Sequence, residues 1–321
     1  MQSDYRSFAR ECDGLPLFLS SWWLDACAGQ DAWDAAVVRS GGRVVAGLPF
    51  VRTVGRRSVV LGMPELTPVL GPWFRAPDGK SGNRLAIEKD LIGELLDGLP
   101  ACDSYSQNWH HSMTNWLPAY WRGYGQTTRY TYRIPSLADL DAVWAGMQSN
   151  IRTDVRKAEG RFGVTVDQDA GLDEFLALQD LTFARQGKPS PYSREFLCRV
   201  DAAASSQGVR RIFVARDPVG RPHAGVYLVW DEGAAYYLMG GGDPELRSSG
   251  ATSLCLWKAI RFASTVTASF DFEGSMMEPV ERLFRAFGAE QTPYFAVSRI
   301  NSWQLRARLA LREIFGQGRR A

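Results

Sequence analysis

The 321-residue chain is poor in the residues that build metal and disulfide sites, with five cysteines and three histidines. The cysteines are Cys12, Cys27, Cys102, Cys198 and Cys255; they are odd in number, scattered, and never in a Cys-x-x-Cys pair. That pattern argues against a disulfide framework or a zinc site and for a reducing, cytoplasmic compartment. His110 and His111 are adjacent, so their side chains are expected to diverge, and His223 is remote. No metal is therefore expected. Charge of one sign is missing too: 37 basic against 35 acidic side chains leave a formal charge of +2. The chain as a whole has no pull toward DNA or anionic lipid, and any polyanion site must be local. No apolar run approaches a membrane span. The opening stretch MQSDYRSFARECDG lacks the apolar centre of a signal peptide. Gly-x-Ser-x-Gly is absent as well, which argues against an α/β-hydrolase-type serine nucleophile.

What is present is an ordinary globular mixture, 45% hydrophobic and 22% charged, in a length that suits two domains. One internal similarity organises it. Residues 37–51, VVRSGGRVVAGLPFV, and 213–229, FVARDPVGRPHAGVYLV, share one sequence of features. Each runs strand, Arg (Arg39, Arg216), Gly-containing turn, Arg (Arg43, Arg221), Ala-Gly, strand. Both read as β-hairpins, and their likeness suggests a duplication. Downstream the second half reads β-α-α-β-α-β-β-β-α-β-α-β, a mixed α/β order around one sheet. Helical stripes are expected at Ile151, Val155 and Ala158, at Leu256, Ile260 and Ala263, and in the first half at Leu85, Leu91 or Ile92, Leu95 and Leu99.

Two stretches carry chemistry. In RSSGATSLCLWK, residues 247–258, a polar turn becomes an apolar helix. The helix start, near Ser249, Gly250 and Ala251, offers free main-chain N–H groups to an anion, with Arg247 beside it. Gly250 is read as letting a ligand approach the backbone. A plain capped loop is the competing reading. In SFDFEG, alternation turns Phe270 and Phe272 into a core and Asp271 and Glu273 together to the other side. Two neighbouring carboxyls push one pKa upward, which suits a general base; a solvated strand face, or a carboxylate paired with a nearby Arg, is the alternative. The Gly run after Met239 is read as a bulge with unpaired N–H groups for an oxyanion. Cys255, on a packed helix, reads as inert core.

Arg247-x-x-Gly250-x-Thr252 resembles the pyrophosphate-binding turn of the Gcn5-related N-acetyltransferases (GNAT), departing from Gly or Ala at Thr252. SNIRTDVRKAEGRFGVTV, FLALQDLTFARQG, SSGATSLCLWKAIRFA, FDFEGS and FRAFGA, in this order, resemble the FemAB-like branch with two such domains in tandem. The resemblance implies two mixed α/β domains, each a mainly antiparallel sheet flanked by helices. They are residues 1–129, an acceptor-side domain with a degenerate donor site, and 130–321, with the donor and catalytic site and a C-terminal helix. It implies acyl-coenzyme A as co-substrate at Met239, Gly240, Arg247, Ser249, Gly250, Ala251 and Thr252, and Asp271 or Glu273 as base. Arg152, Arg156, Arg185, Tyr192, Trp121 and Arg285 are implied for substrate. Arg285 stands where Fem enzymes carry Lys.

The expected reaction is acyl transfer, acetyl foremost, to an amine of a small acceptor such as an amino sugar or nucleotide-linked sugar. Peptidyl transfer from aminoacyl-tRNA is the alternative, and a non-catalytic binding protein the third reading. The aromatic stretch NWHHSMTNWLPAYWRGYG either lines a substrate groove or serves burial. The basic tail from Ser302 is expected to dock on its own domain, with weak contact to anionic lipid as the other possibility.

Overall fold

The computed structural model describes residues 1–307 apart from 56, 57, 78 and 275. The first half carries α1 (Gln2–Glu11), α2 (Ser21–Ala28), β1 (Trp33–Ser40), β2 (Arg43–Gly55), β3 (Ser58–Gly62), β4 (Trp73–Phe74), α3 (Ser81–Asp97), β5 (Ser104–Asn108) and α4 (Leu117–Trp121). Next come β6 (Gly125–Ile134), α5 (Leu140–Gly146), α6 (Ser149–Gly160), β7 (Thr165–Asp167), α7 (Leu172–Arg185), α8 (Arg194–Ser206), β8 (Arg210–Arg216), β9 (Pro222–Trp230) and β10 (Ala235–Gly242). A short 3-10 turn at Arg247–Ser249 leads into α9 (Ala251–Ala263), then β11 (Phe270–Asp271), α10 (Glu278–Ala286) and β12 (Glu290–Ile300).

Two compact units result: residues 1–129 with the described residues from 293 on, and residues 130–292. The expected second domain of 130–321 is thus corrected at its C-terminal end. The second half of β12 pairs antiparallel with β5, from Ala296 opposite Asn108 to Ile300 opposite Ser104, so the chain returns to the first unit. From residue 308 the basic tail lies outside the described residues.

In the first unit β1, β2 and β3 are antiparallel neighbours and β3 runs parallel to β5, with α3 between them in sequence. In the second unit β8, β9 and β10 are antiparallel neighbours and β10 runs parallel to β11, with α9 between them. The same plan is therefore built twice.

The duplicated motif explains itself in packing. Each hairpin shifts register just before its turn, at Val38/Arg39 and at Ala215/Arg216. The matched glycines make room for an aromatic ring from a helix. A Cβ on Gly47 would lie 2.6 Å from the Tyr5 ring of α1, and one on Gly225 2.9 Å from Phe175 of α7. Equivalent glycines thus seat equivalent helices on the second strand of each hairpin.

The second unit's core gathers Ile151, Val155 and Ala158 of α6, Leu256, Ile260 and Ala263 of α9, and Phe270 and Phe272. These are the faces that the apolar spacing marks. In α3 the stripe is partly wrong. Ile92, Leu95 and Leu96 are buried while Leu85 is exposed, because only the C-terminal part of the helix is packed. Trp109 and Tyr124 join the first unit's core, whereas Tyr120 and Trp121 stay exposed. The rings of His110 and His111 lie 4.0 Å apart instead of diverging. No helix among the described residues is long and apolar enough to cross a membrane.

Candidate active site

The site begins where two strands part. β10 and β11 pair over two positions only, Ala235 with Phe270 and Tyr236 with Asp271. β10 then runs on to Gly242 while β11 ends. From Tyr237 onward that edge of β10 therefore has no partner from β11.

The bulge in β10 falls at Leu238, between Tyr237 and Met239, not in the glycine run. Gly240, Gly241 and Gly242 stay paired with Val226, Gly225 and Ala224 of β9. These glycines answer a packing need. A Cβ on Gly240 would collide with the Tyr237 hydroxyl, and one on Gly241 would sit 2.6 Å from the main-chain nitrogen of Gln179 in α7. The Gly242 N–H already donates to Thr182 Oγ1 at 2.9 Å. An oxyanion donor in this stretch is thereby narrowed to the Leu238–Gly240 edge.

At the end of β11 the two acidic residues have different surroundings. Asp271 is 4% exposed and fully engaged. Its Oδ1 accepts from the Thr131 hydroxyl and from the Glu273 N–H, the latter at 2.8 Å, and Arg133 Nε lies 3.5 Å from Oδ2. Glu273 is half-buried, and its carboxyl has no hydrogen-bond or ionic partner among the described residues. Its backbone stands at φ 62, a left-handed conformation that a β-carbon makes costly. The hydrogen bond that its N–H donates to Asp271 Oδ1 holds it there.

Burial raises the pKa of both carboxyls; Thr131 and Arg133 counteract part of this at Asp271, while the charge of Asp271 pushes Glu273 further up. A raised, unpaired carboxyl in a strained turn holds a proton more tightly than an ordinary carboxylate, which suits a proton acceptor.

The helix start at α9 has the expected anion-ready form, with one correction. Gly250 adopts φ 83, and a Cβ there would strike the Asp154 carbonyl oxygen of α6. Helix packing by itself requires a glycine here. Arg247 is exposed, with no partner among the described residues. The main-chain N–H of Ala251 is taken by Ser249 Oγ at 3.2 Å. Those of Thr252 and Ser253 find no acceptor among the described residues.

The remaining expected contacts divide. Arg152 turns Nη1 back onto the carbonyls of Ala145 and Met147, at 2.8 and 2.6 Å, closing the end of α5. This side chain serves the fold, which corrects its reading as a substrate ligand. Arg285 is bound to Glu281 at 2.8 Å, and Glu281 accepts from Tyr132 at 3.0 Å. Arg156 is exposed on α6, over the Trp144 ring. Arg185 is exposed at the end of α7, and Tyr192 stacks on Phe196. Trp121 belongs to the first unit, 61% exposed with Lys89 over its ring. Cys255 is fully buried, and burial pushes its thiol far up, as expected of inert core.

Three polar residues escaped the sequence reading: Thr131, Arg133 and Asp217. The first two are found only through the pairing of β6 with β11, Arg133 opposite Asp271.

Comparison with known proteins places this architecture. Residues 145–277 match the family described as acetyltransferase (GNAT) domain. The match lies within the second unit. Among solved structures, FemX is 13% identical with a TM-score of 0.69, over 92% of this chain and 95% of FemX. A conserved protein of unknown function from Bacteroides thetaiotaomicron VPI-5482 is 10% identical with a TM-score of 0.58, over 94% and 96% of the two chains. L-PGS from Bacillus licheniformis is 13% identical with a TM-score of 0.53, over 97% and 96%. At these identities the likeness is one of fold. No curated protein matches the sequence. Within the matched residues lie the parted strand β10, the α9 turn, Asp271 at the end of β11 and Glu273 just beyond it.

Proposed function

We propose that the second unit transfers an acyl group, acetyl foremost, from acyl-coenzyme A to an amine on a small acceptor. The observation that carries this reading is the free carboxyl of Glu273 at the place where β10 and β11 part. The GNAT match supports acyl-coenzyme A as the donor class. The residues present fit such a donor: Arg247 and the α9 start offer positive charge and N–H groups to phosphates, and the open edge of β10 offers main-chain partners to an amide-bearing arm.

Each residue then has a task. Arg247 and the N–H groups of Thr252 and Ser253 hold the phosphate end. The edge N–H groups of Leu238–Gly240 oppose negative charge developing on the thioester oxygen. Glu273 takes the proton from the incoming ammonium, so that the amine's lone pair is free to form the new amide bond while the thiolate departs. Asp271, with its bonds already made, keeps Glu273 in place. Neither a covalent acyl-enzyme nor Cys255 is needed. The five free thiols fit a reducing, cytoplasmic setting.

Calorimetric titration with coenzyme A and acetyl-CoA tests the donor, and release of free thiol in the presence of amine acceptors tests the transfer. Arg247→Glu is the matched control, because it reverses an exposed charge without touching the α6–α9 packing. Micromolar binding lost in R247E supports the reading. Absence of binding to any acyl-CoA removes it, and aminoacyl-tRNA becomes the first donor to try, with a steep salt dependence as its signature.

A further inference from the structure

A chain of buried polar groups reaches the α9 turn from the β8–β9 hairpin. Asp217, in the turn of that hairpin, accepts from the Val219 N–H at 3.1 Å, the Arg221 N–H at 2.9 Å and Arg221 Nε at 2.7 Å. Its Oδ2 lies 3.3 Å from His223 Nε2. His223 Nδ1 lies 2.9 Å from Ser249 Oγ. Ser249 Oγ in turn accepts from the Ala251 N–H, the first amide of α9. Ser249 is 2% exposed and His223 4%. The His223 carbonyl also accepts from the Asp243 N–H at 3.0 Å, so the same residue holds both ends of the segment from β10 to α9.

The direction of the chain follows from its ends. Burial works to raise the Asp217 pKa, but the Arg221 side chain and amide and His223 outweigh it and keep this carboxyl well below the usual range. Asp217 is therefore an acceptor, and His223 Nε2 carries the proton toward it. Nδ1 is then an acceptor, and the Ser249 hydroxyl donates to it. Oγ keeps its lone pairs for Ala251. Every donor finds one acceptor, which is what a buried polar chain needs to be worth its desolvation. The connectivity is that of a Ser-His-Asp relay, but a sealed Ser249 has no access to a substrate and is no nucleophile.

We propose that Asp217, His223 and Ser249 form a positioning relay that sets the backbone of residues 247–251 in its ligand-ready shape before any donor arrives. The use of that shape for donor phosphates rests on the function proposed above; the presetting itself does not.

Two substitutions of His223 separate the ends of the relay. Asn places a polar group at the position of Nδ1 and keeps the Ser249 bond. Gln reaches the position of Nε2 and keeps only the Asp217 bond. Hydrogen–deuterium exchange of the full-length ligand-free protein is compared for wild type, H223N, H223Q and S249A, with coenzyme A titrated in parallel. In H223Q and S249A, exchange in peptides covering 247–254 is expected to rise about tenfold, the equivalent of one lost buried hydrogen bond. H223N, which keeps the Ser249 bond but loses the Asp217 end, is expected to fall between wild type and H223Q on the same scale. Coenzyme A affinity should follow the same order. Unchanged exchange in S249A, equal effects of H223N and H223Q, or acceleration spread evenly over the unit would each overturn the relay. If S249A does not fold, the H223N and H223Q pair decides alone. If the wild type binds no coenzyme A while the exchange order holds, the relay stands and the donor assignment falls.

Discussion

Replacing Glu273 by glycine sets strain against chemistry. At φ 62 the residue occupies a conformation that costs an L-amino acid about 1–2 kcal/mol. Glycine relieves this and loses roughly 0.5–1 kcal/mol through its freer unfolded chain. Removing a desolvated carboxyl beside Asp271 adds to the gain. The net is about 0.5–1 kcal/mol of stabilisation, or a rise in Tm of roughly 1–4 °C for a domain of this size. A general base contributes about 10²- to 10⁴-fold in rate, so turnover should fall by that factor. Scanning calorimetry and steady-state acetyl transfer on the same preparation read both numbers. Greater stability with lost turnover is expected only of a residue held in strain for its chemistry. An E273G enzyme within about threefold of wild-type kcat would refute the assignment, since the general-base contribution is far larger.

The pH dependence gives the same residue a second signature. A base must be deprotonated, so kcat/KM should climb with pH through the raised pKa of Glu273. Asp271→Asn keeps an oxygen for the Glu273 amide but removes the neighbouring charge. The Glu273 pKa then falls and the rising limb moves to lower pH. Stability runs the other way. Both carboxyls bind protons more tightly folded than unfolded, so their contribution is fully present below the ordinary carboxyl range of about 4. It is lost as pH rises through their raised values. Glu273→Gln should flatten this loss in a series of melting curves.

Other outcomes follow from single contacts. Arg247→Ala should raise the KM for the donor several-fold with kcat and Tm unchanged, because the side chain is exposed and unpaired; an equal loss in kcat would count against a binding role. Gly250→Ala should destabilise by about 1–3 kcal/mol in chemical denaturation, since its Cβ meets the Asp154 carbonyl and φ is 83. Gly225→Ala should do likewise against Phe175, and Phe175→Leu should recover part of the loss. With a thiol reagent on the folded protein, exposed Cys198 should react at once and buried Cys255 only on unfolding.

Much of this arrangement can be read without coordinates. The apolar stripes of α6 and α9 follow from spacing alone, and so do the inward turns of Phe270 and Phe272. Where the reading failed, the missing information was contact across the chain. Gly250 looks like a ligand's glycine until α6 is seen against it. Gly240 and Gly241 look like a bulge until Tyr237 and α7 are placed. Arg152 looks like a charge for substrate until the end of α5 is seen to need its guanidinium. In each case local sequence offers a polar or flexible residue, and only packing says which neighbour uses it. Asp271 and Glu273 read alike as a pair. Their difference in role depends on Thr131 and Arg133, which arrive on β6 from far along the chain.

The duplicated plan bears on which half is equipped for transfer. In both units a hairpin, a third antiparallel strand, a helix and a parallel strand follow in order, and a glycine of the hairpin seats a helical aromatic. The copies differ in the segment before the helix. In the second unit, residues 243–250 form a short turn closed by left-handed Gly250, with His223 and Ser249 bracing it from within. In the first, a longer stretch, from 63 to 80 and including β4, separates β3 from α3. The parallel partner of that unit, β5, bears Ser104 through Asn108, with no carboxyl among them, where β11 bears Asp271. The first unit keeps the architecture but lacks the braced turn and the acidic strand end, the two features from which the second builds its site. If transfer chemistry were measured in the first unit alone, it would have to come from groups other than these.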